Sequence, residues 1–146
     1  MILNSQPLSF SISAVIAGTT SHGATFLGPG TIRHAGSGDT VVGAWSAAGA
    51  TAVEAVAKMF NNAGIVTRIV ADVRKVMWAK LLINVGINAI TALTGIRNGQ
   101  LLDLEQTRRL SREAVEEAVA VAGTQGIAIE GDPVETVFSV AAATAA

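Results

Sequence analysis

The chain has 146 residues, half of them apolar and only 14% charged, which is enough for a sizeable core in one domain or in parts of two. Its 10 basic and 11 acidic residues leave a formal net charge of −1 with no dense basic run, so it lacks the electrostatic footprint of a nucleic-acid binder. The absence of cysteine excludes disulfides and thiolate metal sites, leaves His22 and His34 as the only imidazole ligands, and suits a cytoplasmic protein with no metal centre.

Met1 to Gly18 is moderately apolar, but no basic residue precedes its hydrophobic part, and Pro7 and four serines interrupt it. It does not read as a secretory signal. From Ala14 to Val42 the chain is rich in threonine, valine, isoleucine and glycine, with breaks at Gly28-Pro29-Gly30 and Gly36-Ser37-Gly38-Asp39. That pattern predicts short strands over Ala14–Thr19, Ala24–Leu27, Thr31–Ala35 and Thr40–Ala44, joined by tight turns. Neither glycine cluster completes G-x-G-x-x-G ahead of a helix, so both read as hairpin turns and not as phosphate loops. His22 and His34 lack a third ligand nearby and read as structural or rim residues. Ser46 can cap a helix over Ala47–Ala63, whose Val53, Val56, Ala57 and Phe60 make an apolar stripe, with Gly64 as its stop. Ile65–Val70 has the length and β-branching of one more strand.

After Asp72, a candidate cap, the pattern turns helical for good. Helices are predicted over Val73–Ala92 and Gln106–Gln125, with a short turn at Gly99–Leu102 between them and a last helix opened by Asp132-Pro133. In the third of these segments Arg108, Arg109 and Arg112 with Glu113, Glu116 and Glu117 predict a solvated outer face with some i,i+4 pairs. The closing Ala141–Ala146 run is helix-compatible and uncapped, and no βαβ pattern precedes the first strands. The chain therefore reads as the middle of something longer.

Its most informative segment is Val76 to Leu93, which is apolar enough to predict a buried helix yet carries Lys80, Asn84 and Asn88 at i, i+4 and i+8. Those three polar residues and Thr91, with no basic cluster at either end, argue against a membrane span. Each four-residue step turns an α-helix by about 400°, so the three polar ends drift by only about 40° per step and share one face. Burying an ammonium and two amides without partners is costly, which leaves a solvated face, a satisfied internal network or a small-molecule site. In the last case the ammonium could hydrogen-bond a substrate carbonyl and supply charge or a proton as that oxygen becomes an alkoxide, with the amides holding hydroxyl or carboxylate groups in register.

The segment Gly18-Thr19-Thr20-Ser21-His22-Gly23-Ala24 comes first, followed by Gly28-Pro29-Gly30 and His34-Ala35-Gly36. Next come Trp78-Ala79-Lys80-Leu81-Leu82-Ile83-Asn84, Asn88-Ala89-Ile90-Thr91-Ala92-Leu93 and Asn98-Gly99. Together these resemble the ketopantoate reductases (2-dehydropantoate 2-reductases), over roughly Val15 to Ala146. The resemblance implies an α/β fold: the strand-rich end of a Rossmann-type domain over residues 1–71, then part of an all-helical, 6-phosphogluconate dehydrogenase-like domain over 72–146. It implies reduction of 2-dehydropantoate to pantoate with NADPH, in pantothenate and coenzyme A biosynthesis. It makes Lys80 the catalytic lysine, Asn84, Asn88 and Asn98 substrate-binding residues, and Ala24 a neighbour of the NADP cofactor. The partners implied are a small 2-oxo acid and possible further copies of the chain through the helical domain, with no nucleic acid and no membrane.

Several of the family's features are missing from this chain: the opening G-x-G-x-x-G, the basic residue for the extra phosphate of NADP, the Gln-Asn-Gly segment, and the later serine and glutamate of the helical domain. Residues 1–13 match nothing in the family pattern and are expected to be foreign or frame-shifted sequence. The chain alone is accordingly expected to be inactive. Two alternatives stay open: a non-catalytic helical fragment that mediates association, or a reductase of another 2-oxo acid.

Overall fold

The structure is a computed structural model and describes residues 14–145. The chain divides into two compact units, Met1–Val73 and Arg74–Ala146, the first strand-rich and the second helical, and the fold is the α/β architecture with a helical second part that the sequence predicts. The stretch 1–13 expected to be foreign lies outside the described residues.

In the first unit β1 (Ile16–Thr20) lies antiparallel to β4 (Thr40–Ala44), which lies parallel to β5 (Thr67–Ile69), giving the order β1-β4-β5. A parallel pair needs a long crossover, and α1 (Val53–Asn62) supplies it. The central strand β4 is covered on both faces, so Thr40, Val41, Val42 and Gly43 are all buried. Asn61 ties the crossover to β5. Its Nδ2 donates to the carbonyls of Ala57 and Thr67 at 2.8 and 2.9 Å, and its Oδ1 accepts from the Thr67 amide at 3.0 Å. β2 (Gly23–Gly28) and β3 (Thr31–Gly36) pair with each other alone, as an antiparallel hairpin whose turn is Pro29-Gly30, with Gly30 at φ +76°. The first glycine cluster is thus a hairpin turn, as predicted.

The second glycine cluster, Gly36-Ser37-Gly38-Asp39, is not the predicted hairpin turn, because β3 and β4 belong to different sheets, and β1 starts at Ile16 where Ala14 was predicted. Two further elements differ from prediction. The helix expected over Ala47–Ala63 is split: Ala47–Thr51 is a 3₁₀ turn, and the α-helix begins only at Val53. Ser46 caps the 3₁₀ turn, its Oγ accepting from the amides of Gly49 at 3.3 Å and Val15 at 2.9 Å. Gly49 packs against the Val15 backbone so closely that a Cβ there would clash with the Val15 carbonyl, and that contact favours the tighter turn. β5 keeps only Thr67–Ile69 of the predicted Ile65–Val70, because pairing with β4 starts at Thr67, the residue that Asn61 anchors.

One helix starts at Val73, the last residue of the first unit, and runs through the second to Thr94 in three parts: α2 (Val73–Ile83), a π turn (Asn84–Asn88) and α3 (Ala89–Thr94). A 3₁₀ turn at Gly99–Leu102 follows, then α4 (Glu105–Thr124) and α5 (Pro133–Ala143). Asp132 caps α5 by accepting from the Glu135 amide at 3.0 Å, with Pro133 in the first turn as predicted. The core is built from Leu82, Ile87 and Ile90 of the first helix, Val115 of α4, and Val137 and Phe138 of α5.

By length and composition Val73–Thr94 could cross a membrane, but its π turn packs against α4 and α5. Its apolar sequence predicts a buried helix, and the structure buries it on one side only. Leu81 is 44% and Leu93 87% exposed, because α4 and α5 cover only one side. In α4, Arg109 pairs with Glu113 at 2.9 Å as the i,i+4 spacing predicts. Arg108 and Arg112 are not merely solvated, since both guanidinium groups lie over the Phe138 ring, at 5.7 and 5.6 Å from its centroid.

Candidate functional site

The polar stripe sits where the first helix of the second unit loses its regularity. Lys80 is in the last turn of α2, Asn84 opens the π turn and Asn88 closes it. A π turn pairs i with i+5, so it takes more than four residues to complete a revolution. The step from Lys80 to Asn84 therefore overshoots a full turn, whereas the step from Asn84 to Asn88 falls short of one. The two deviations offset each other, and the polar ends stay in line more closely than an uninterrupted α-helix would keep them. Asn88 Nδ2 donates to Asn84 Oδ1 at 2.9 Å. Lys80 and Asn84 are half-buried and Asn88 is exposed, which describes the wall of an open site better than a sealed internal network.

Beneath the stripe, Gly86 brings the backbone of the π turn against α4 and α5. A Cβ on Gly86 would stand 2.6 Å from Val137 Cγ1, 2.8 Å from Val115 Cγ2 and 3.2 Å from Ser111 Oγ. Ser111, fully buried, donates its hydroxyl to the Gly86 carbonyl at 2.7 Å. Thr91, the fourth polar residue of the stripe, turns its hydroxyl back to the Ile87 carbonyl at 3.1 Å and so serves its own helix.

The other predicted site residues have their own surroundings. Asn98 precedes the 3₁₀ turn and donates its amide to Thr144 Oγ1 at 3.0 Å, pinning the end of α5. Ala24 belongs to the first unit, exposed on β2 at a shift in the hairpin register. His22 and His34 meet, with Nδ1 and Nε2 3.0 Å apart and the rings tilted at 5.2 Å between centroids. A hydrogen bond linking β3 to the residue just before β2 accounts for the pair as a structural feature. Ser111 and Gly86 escape a reading of the sequence. The one signal they carry is a serine on the apolar face of a predicted helix and a glycine inside another.

The description "Ketopantoate reductase PanE/ApbA C terminal" matches residues 72–146, and "Ketopantoate reductase PanE/ApbA" matches residues 7–47. The chain belongs to the ketopantoate reductase family. The second match takes in residues 7–13 of the opening stretch expected to be unlike the family. Among its relatives, the 2-dehydropantoate 2-reductase of Halobacterium salinarum is 41% identical over 131 residues, 90% of this chain and 43% of that protein. The crystal structure of a PanE/ApbA family ketopantoate reductase from Ralstonia eutropha JMP134 superposes with a TM-score of 0.74 at 28% identity, covering 88% of this chain and 42% of that one. The 2-dehydropantoate 2-reductase from Geobacter metallireducens superposes with a TM-score of 0.75 at 27% identity, covering 88% and 43%. This ketopantoate reductase family chain therefore spans about two-fifths of the length of the relatives it matches.

Proposed function

We propose that this chain is the part of an NADPH-dependent 2-dehydropantoate 2-reductase that carries the proton donor and the substrate amides. The observation that supports this most is the Asn88–Asn84 bond across a π turn that starts one helical turn after Lys80, with all three side chains reaching solvent. Residues 72–146 are then the start of the helical substrate domain, and the first unit the end of the Rossmann-type domain. Asn98, placed beside Thr144, joins the substrate residues as a second, separate contact.

The reaction needs charge stabilised on one oxygen. As the ketone of a 2-oxo acid is reduced, negative charge grows on its oxygen, and the Lys80 ammonium donates a hydrogen bond and then the proton that makes the hydroxyl. The pair of amides holds the neighbouring hydroxyl or carboxylate in register. Asn84 Oδ1 is already committed to Asn88, so Asn84 offers its two N–H donors and Asn88 one N–H and its carbonyl oxygen.

NADPH, when bound, supplies the hydride. Among the described residues neither glycine cluster leads into a helix N-terminus, since one closes the β2–β3 hairpin and the other leads into β4, so a pyrophosphate cradle is not found there. Ala24, small and exposed, is the one group proposed to lie beside the cofactor.

The test is NADPH oxidation in the presence of 2-dehydropantoate, for the chain alone and for a chimera completed with the flanking regions of the Halobacterium salinarum relative. The chimera should turn over and the chain alone should not. A folded, NADPH-binding chimera inert toward 2-dehydropantoate but active on another 2-oxo acid would transfer the reading to that substrate. One inert to all 2-oxo acids would leave a helical association fragment.

A further inference from the structure

A buried serine in a helix has a ready partner in the carbonyl four residues back on its own helix, and usually takes it. Ser111 does not. Its hydroxyl crosses from α4 to the first helix of the unit, to the Gly86 carbonyl at 2.7 Å, in the middle of the one turn where i→i+4 pairing fails. Ser111 is the buried polar side chain among the described residues of the helical unit, and its partner carbonyl lies midway between Asn84 and Asn88.

An i→i+5 turn is less stable than the α turn it replaces and persists where surrounding structure holds it. Here the holding groups are Ser111, Val115 and Val137. Where i→i+5 pairing reverts to i→i+4, a carbonyl is left without a helix amide, and a donor from outside compensates for the loosened ladder. Glycine at 86 lets α4 and α5 approach closely enough for that donor to reach, with Val115 and Val137 closing the space where a side chain would be. We propose that Ser111 is a positioning residue: its hydroxyl holds the Asn84–Asn88 turn in the wide form and so sets the direction of the asparagine pair relative to Lys80. This rests on the reading that the pair faces the 2-oxo acid. Collapse of the turn to α pairing would restore the drift of about 40° per four-residue step, leaving Asn88 about 80° from Lys80 instead of nearly in line with it. The three groups would then be less closely aligned.

The experiment uses the 146-residue chain labelled for NMR, reading through-hydrogen-bond couplings that show which carbonyl each amide between Asn84 and Ala92 is paired with. Ser111→Ala and Ser111→Cys, the second filling the space but donating poorly, should shift these pairings from i→i+5 to i→i+4. Val115→Ala, which loosens the same core without touching the hydroxyl, should keep i→i+5. Either serine variant folded with its i→i+5 couplings intact would overturn the proposal, as would loss of those couplings in Val115→Ala. If Ser111→Ala does not fold, Ser111→Cys decides. A titration with 2-dehydropantoate, followed on the Asn84 and Asn88 side-chain amides, separates the two readings. Binding by the parent chain that weakens about tenfold in the serine variants is expected. No response from the parent chain would count against the substrate reading, while the couplings would still decide the role of Ser111.

Discussion

Asn88 gives its side-chain amide to Asn84 at 2.9 Å, one π turn away on the same helix. The bond fixes two rotamer-rich side chains before any ligand arrives, so ordering them costs less at the moment of binding. It also polarises the pair, leaving donors on Asn84 and a carbonyl on Asn88. Asn84→Asp keeps the acceptor that Asn88 needs but replaces the outward amide with a second carboxylate oxygen. In the completed chimera this change should raise the Michaelis constant for a 2-oxo acid by at least about tenfold, through repulsion of the substrate carboxylate and loss of a donor. An unchanged Michaelis constant would place the substrate carboxylate elsewhere.

Gly86 should tolerate no side chain. Alanine there would press its methyl to 2.6 Å from Val137 Cγ1 and 2.8 Å from Val115 Cγ2, and both valines are fully buried. Gly86→Ala should therefore destabilise the chain by about 1–3 kcal/mol, read as a lower urea midpoint. The gain in helix propensity is smaller, about 1 kcal/mol. A stabilised variant would mean that the helices separate more readily than their contacts indicate.

Much of this was legible from residue order alone, and the exceptions share a cause. Strand β4 matches its predicted bounds, and α4 and α5 lie close to theirs, because apolar periodicity and caps such as Asp132-Pro133 are local signals. The polar stripe was legible for the same reason. The π turn was not, since Lys80, Asn84 and Asn88 fit an i+4 spacing equally well in a straight helix, and the irregularity arises from Gly86 meeting Ser111 of another helix. The split before α1 has a similar origin, in the approach of Gly49 to Val15. Likewise Asn98 looks like a site residue in the sequence, whereas its partner Thr144 can be seen only once α5 has folded back.

Asn61 offers a test of the first unit. Its side chain makes three bonds to backbone, two of them to Thr67 at the start of β5. Asn61→Ala would leave the Thr67 amide and carbonyl without those partners, and Thr67 is buried. A loss of about 1–3 kcal/mol is expected, with faster amide exchange at Thr67 than in β1. Uniform exchange across the sheet would show that β4 pairing alone holds β5.

Exposed apolar groups on both units predict self-association. Phe26 and Ile32 on the β2–β3 hairpin are each 72% exposed, and Val66 is 80% exposed. In the helical unit a hollow of about 290 Å³ between the first helix and α4 is lined by Trp78, Leu81, Val85, Ala114, Ala118 and Val121, with Glu117 as its one charged residue. Light scattering should report dimers or larger species at micromolar concentration, reduced by Leu81→Lys if the helical hollow is responsible. A monodisperse monomer would argue against association through either surface.

Calorimetry should find little or no affinity for NADPH in the 146-residue chain, because a dinucleotide is held mainly by glycine backbone at a helix N-terminus, and the described glycine clusters serve a hairpin turn and the approach to β4. Micromolar binding would point to a second way of holding the phosphates.

Lys80 and the asparagines should separate kinetically once the chain is completed. An ammonium facing the ketone mainly stabilises charge that exists only as the reaction proceeds, so Lys80→Ala should lower turnover about a hundredfold to a thousandfold with a smaller change in the Michaelis constant. The half-buried position of Lys80 on one wall of the helix means that its removal should cost little stability. On the proposed role of holding the substrate equally in ground and transition states, Asn84→Ala and Asn88→Ala should raise the Michaelis constant more than they lower turnover. Each should also weaken the effect of the other, because either one breaks the Asn88–Asn84 bond, and a double-mutant cycle should show that coupling. Near-normal turnover of Lys80→Ala in a chimera that folds and binds NADPH would remove the lysine from the chemistry and reduce the stripe to an ordinary polar helix face.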